Sequence, residues 1–74
     1  MTFEEAMRAM REGKTVVREK FLKGPYKGER FKIGKVFEKK CVVNGRGEPA
    51  YIFPHEILLG DWVVVNEKED ANGN

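Results

Sequence analysis

Serine is absent from this sequence, and cysteine and histidine occur once each, as Cys41 and His55. Without serine there is no hydrolase-type nucleophile elbow. One cysteine excludes an internal disulfide, and Cys41 with His55 falls short of the three or four ligands that zinc takes, so neither a metal nor a cofactor is expected. No stretch approaches the ~18 apolar residues of a membrane span. The opening MTFEEAMRAM lacks the apolar segment of a signal peptide. A cytoplasmic protein without membrane contact is therefore expected.

Catalytic arrangements are scarce as well. GERFKIGK has the look of a phosphate loop, but five residues separate Gly28 from Gly34 where the motif has four, and Val36 stands where Ser or Thr would hold Mg²⁺. Cys41, His55 and Glu56 form the one nucleophilic trio, yet Cys41 opens an apolar run that suits a buried structural thiol. Glu4 and Glu5 are adjacent in a first helical turn, where they complement the helix dipole instead of pairing as acid and base. An enzyme is not expected.

At 74 residues the chain makes a single domain, and a domain so small buries only about 60% of the surface its unfolded chain exposes. Small scaffolds gain support from disulfides, metals or self-association. With the first two excluded, a homo-oligomer, dimer or tetramer, is the expected form.

The residues present spell out an α+β domain over residues 1–66 with a polar tail at 67–74. Thr2 and Glu5 make a capping box. Phe3, Ala6, Met7 and Met10 then form one apolar stripe at helical spacing, and Gly13 suits the left-handed position that ends a helix. Residues 14–19 (KTVVRE) read as a first strand. In residues 23–29 (KGPYKGE) two glycines and Pro25 forbid regular structure and expose Tyr26 beside Lys27. Residues 30–40 read as one strand that falters at Gly34, as at a bulge. Residues 41–43 and 50–53 read as a hairpin around the Asn44-Gly45 turn signal. A helical turn from Pro54 to Gly60 leads to a last strand at 62–66. The sum is one N-terminal helix packed on a small antiparallel sheet of four or five strands.

Charge is unevenly placed. Residues 1–40 carry 12 Lys and Arg against 6 acids, and residues 41–74 carry 2 against 6, so the halves are +6 and −4. Such asymmetry either marks a face for an anionic partner or is the ordinary solvated surface of a small domain. Arg18, Lys20, Lys23, Lys27 and Arg30 interleave with Phe21 and Tyr26, a composition that suits phosphate plus base: cations hold the anion and rings stack on the heterocycle. The competing reading is that the rings cap the sheet. Asp61-Trp62 carries the same two readings, a core indole seeking an acceptor or a pocket in which Asp61 accepts a ribose hydroxyl.

TFEEAMRAMREGKTVVREKF (2–21) and ILLGDWVVV (57–65) resemble the N- and C-terminal signatures of the second Thoeris anti-defence family of small phage proteins, in the same order. That resemblance implies a phage-encoded homotetrameric sponge, acting in the infected bacterial cell, that encloses a cyclic ADP-ribose isomer without degrading it. Residue by residue, it places Arg18 at the basic position of the strand and Phe21 where the family carries tryptophan, and it matches Asp61 and Trp62 to the C-terminal pair. The expected ligand-binding set is Arg18, Phe21, Tyr26, Lys27, Asp61 and Trp62, with Arg18→Ala abolishing uptake but not folding. A small cyclic nucleotide is the expected partner and nucleic acid is not. The alternative is a host-takeover protein that engages a bacterial protein or nucleic acid through the basic loop.

Overall fold

The computed structural model describes residues 1–22 and 29–65. The expected site residues Tyr26 and Lys27, with most of their loop, and the expected tail lie outside the described residues. The elements in chain order are α1 (Phe3–Arg11), β1 (Thr15–Arg18), β2 (Lys32–Val36), β3 (Lys39–Val43) and β4 (Trp62–Val65), with 3₁₀ turns at Glu19–Phe21 and Pro54–Leu58. The α+β class is as expected from the sequence.

The start of α1 follows from its cap. Glu5 N donates to Thr2 Oγ1 at 3.2 Å, and Thr2 N donates to Glu5 Oε1 at 2.8 Å. The Thr2 backbone N–H holds the Glu5 carboxyl below its ordinary range. At the other end Gly13 takes φ +91°, which permits Lys14 N to reach Ala9 O and turn the chain into β1. Ala6, Ala9 and Met10 are buried on the inner face of the helix, while Glu4, Arg8, Arg11 and Glu12 are exposed.

β1 lies between two partners. One edge pairs antiparallel with β4, from Thr15 opposite Val65 to Arg18 opposite Trp62. The other edge takes Phe31 through the reciprocal bonds Val16 N to Phe31 O and Phe31 N to Val16 O. All four residues of β1 are buried in consequence. β2 and β3 form a separate hairpin, Lys32 opposite Val43 through Val36 opposite Lys39. The sheet of four or five strands is thus corrected to two two-stranded ribbons, because the Val16–Phe31 bridge links them at one point instead of through a continuous ladder.

Two local readings change for physical reasons. The strand expected over 30–40 is broken by a two-residue turn in which Phe37 and Glu38 both take positive φ, +52° and +66°. Such turns are signalled by Gly or Asn, and neither stands there. The hairpin expected between 41–43 and 50–53 is reduced to a bridge between Val43 and Pro49. The Asn44 side chain organises that loop by accepting from Arg46 N at 2.8 Å and Glu48 N at 3.1 Å, and the left-handed residue is Gly47, φ +82°.

Gly34 is a close approach and not a bulge. It pairs in register with Cys41, and a Cβ there would lie 2.8 Å from Val43 Cγ2. The core centres on Trp62, fully buried, with the Phe3 and Phe31 rings edge-on at centroid distances of 5.3 and 5.7 Å. Ala6, Ala9, Met10 and Val16 complete it, and Ile33, Val42, Ala50 and Ile52 pack around it. Among the described residues no helix is long and apolar enough to cross a membrane.

Candidate functional site

β1 ends where its antiparallel partner β4 begins, Arg18 opposite Trp62, which brings Arg18 beside Asp61. Arg18 Nε donates to Asp61 Oδ1, and Arg18 Nη1 donates to Glu56 Oε2 at 2.8 Å. Arg18 is 6% exposed. Its second partner comes from the 3₁₀ turn Pro54–Leu58, which the network pins in place: Phe53 N donates to Glu56 Oε1 at 3.0 Å, and Trp62 Nε1 donates to the Glu56 carbonyl oxygen at 3.0 Å. Asp61 in turn offers its carbonyl oxygen to Glu19 N at 2.7 Å.

The electrostatics follow from these bonds. The hydrogen bond from Arg18 holds the Asp61 carboxyl below its ordinary range despite partial burial, and the same bond, helped by Glu56, keeps the guanidinium above its own. Two carboxylates share one guanidinium, so the cluster carries a net charge of about −1 at neutral pH.

This geometry revises the expected ligand set. Trp62 has no exposed surface, so its indole closes the core and cannot stack on a ligand unless the core opens. Its acceptor is the carbonyl of Glu56, six residues back along the chain, and not the adjacent Asp61. Arg18 is buried and directed at two carboxylates, and so is corrected from phosphate ligand to internal cation. Asp61 is partly exposed but spends its charge on Arg18. Phe21, by contrast, lines a cavity, with Lys20 Nζ 5.1 Å from its ring centroid.

That cavity is a cleft of about 220 Å³ walled by Phe21, Phe31, Tyr51 and Phe53, with Glu29 and Glu56 at its polar edge. Tyr51 and Phe53 meet edge to face at 4.9 Å and 90°, yet remain 64% and 55% exposed. Beside it, sharing Glu29, lies a second pocket of about 250 Å³ lined by Arg30, Asn44, Gly45 and Arg46. Flat apolar walls with carboxylate acceptors suit a heterocycle and sugar hydroxyls, and the neighbouring arginines suit phosphate. Sequence reasoning missed Tyr51, Phe53, Glu29, Glu56 and Arg46. The signal for the first two is an i, i+2 aromatic pair ahead of Pro54, a spacing that a strand shares.

Among the described residues no group of three potential metal ligands converges. No protein-family model, curated protein or solved structure matches the chain.

Proposed function

We propose that this chain is a non-enzymatic binding protein that sequesters a cyclic nucleotide-type immune signal, a cyclic ADP-ribose isomer, as a homo-oligomer. The observation that carries the reading is the pairing of two adjoining pockets of different chemistry. The four-ring cleft takes the base and Glu29 accepts ribose hydroxyls, while Arg30 and Arg46 next door face the phosphates. The net-negative Arg18 cluster borders the aromatic cleft; the second pocket sets Glu29 beside Arg30 and Arg46, and phosphate there takes the place of Glu48 in its exposed 3.5 Å pair with Arg46.

Self-association is supported by exposed apolar surface. Tyr51, Phe53, Ile57 and Leu58 fall within eight residues of one another, and Leu58 is 87% exposed. Large apolar side chains gathered in one segment favour a subunit contact.

The test is to load the purified protein with a cyclic ADP-ribose isomer, remove free ligand, denature by heat and identify what is released by mass spectrometry. Intact ligand in stoichiometric amount is the expected result. A linearised or hydrolysed product would make the protein an enzyme, and no retained ligand would remove the reading.

A further inference from the structure

The β2–β3 hairpin presents three unfavourable features at one tip. Phe37 is 94% exposed, the most exposed of the large apolar side chains among the described residues. It stands at φ +52° with Glu38 at +66°, where non-glycine residues are disfavoured. One pair in from the turn-closing Val36 and Lys39, Lys35 and Lys40 sit opposite each other in the register, which sets their Cβ atoms roughly 4.5–5.5 Å apart on one face of the ribbon. Lys39 is exposed at the first position after the turn.

Among the described residues no carboxylate bonds Lys35, Lys39, Lys40 or Arg11, and Arg11 at the end of α1 lines the same groove as Lys40. Further in, on the face that carries Lys35 and Lys40, Ile33 and Val42 pack against the core. The ribbon is therefore anchored at its base, and its outer half is a cationic arm with one free aromatic ring. Like charges placed directly opposite destabilise a ribbon, and an exposed ring in a left-handed turn gains nothing from the fold.

We infer that the β2–β3 tip is a binding arm for single-stranded nucleic acid: Lys35, Lys40 and Arg11 contact phosphates along one face of the ribbon, Lys39 adds positive charge from the other face, and Phe37 stacks on an unpaired base. The occupant follows from charge and from the ring. A polyanion relieves the Lys35–Lys40 repulsion, and only a single strand offers open base faces to an aromatic at a tip. A membrane surface needs a contiguous apolar face, whereas here Phe37 and the half-buried Val36 stand among Lys35, Glu38, Lys39 and Lys40. This surface is separate from the aromatic cleft, so the inference stands apart from the sponge reading.

The test is fluorescence anisotropy with a labelled oligothymidylate, a duplex of equal length and phosphatidylserine vesicles, titrated over salt. The expected result is preference for the single strand, with log K falling linearly in log salt. The Lys35→Gln/Lys40→Gln variant should flatten that slope by about 1.4, since each phosphate no longer neutralised removes ~0.7. Phe37→Gly relieves the turn and so preserves folding, checked by circular dichroism, and should weaken single-strand binding by about tenfold through removal of one stack. Equal affinity for the duplex, binding to vesicles alone, no binding at low salt, or variants indistinguishable from the parent would each overturn the inference.

Discussion

Arg18 shows how far a single side chain can depart from the role its surroundings in sequence imply. Set among lysines and close to an aromatic, it reads as a phosphate ligand. In the fold it is the buried cation that two acids, 38 and 43 residues away, converge upon. Removing one member of a buried ion cluster leaves uncompensated charge, which costs about 3–5 kcal/mol. Arg18→Ala is therefore expected to lose stability in urea denaturation followed by circular dichroism, by an amount that would unfold so small a domain. Retained folding with loss of ligand uptake would restore Arg18 to the binding set. The pH dependence has a definite sign. Asp61 titrates below its ordinary value of 3.8, so the stability it contributes is complete above that value and is lost as pH falls through the depressed one. Arg18, raised above its already high ordinary value chiefly by the same bond to Asp61, stays charged through the neutral range and sets the loss on the alkaline side only in strong alkali, while on the acid side the bond is lost with the Asp61 charge. The melting temperature should thus fall on acidification beneath the ordinary carboxylate range, and Asp61→Asn, less stable at neutrality, should show a shallower acid limb.

At the scale of elements, what is legible in the sequence divides by the range of the interaction involved. α1 is readable to its caps because Thr2, Glu5 and Gly13 act within a few residues of themselves. β1 and β4 are readable as valine-rich runs, and the 3₁₀ turn after Phe53 is announced by Pro54. The β2–β3 hairpin is not, since its turn uses Phe37 and Glu38 in a conformation that tertiary context imposes against local preference. Gly34 stands out in the sequence but reads as a bulge, because the atom that requires a glycine there belongs to Val43, nine residues on. Gly34→Ala is expected to force a shift of the buried Val43 side chain and lower stability by about 1–3 kcal/mol. A denaturation midpoint equal to the parent's would show that the hairpin absorbs the extra methyl group without strain.

For the molecule as a whole, the sequence anticipates a small α+β body but cannot place its cleft. Phe21, Phe31, Tyr51 and Phe53 come from separate stretches of chain, and only the docking of the Pro54–Leu58 turn onto Arg18 and Trp62 brings Tyr51 and Phe53 round to meet the other two. The network that disqualifies Arg18 as a ligand residue is thus what builds the cavity. A chain with so little internal surface also has reason to associate. Leu58→Lys, placed at an 87% exposed position, should leave the monomer fold intact and shift light-scattering mass towards a single chain; an unchanged mass would move the subunit contact to another face.

The most direct measurement is calorimetric titration of a cyclic ADP-ribose isomer into the parent protein and into Tyr51→Ala. Tyr51 is exposed enough for its truncation to spare the core, and a base stack is worth about 1–3 kcal/mol, roughly 5- to 150-fold in affinity. Saturable binding by the parent, weakened by that factor in the variant with the fold unchanged, is the predicted result. Absence of heat in both, or equal affinity in the two, would contradict the assignment of the aromatic cleft as the nucleotide site.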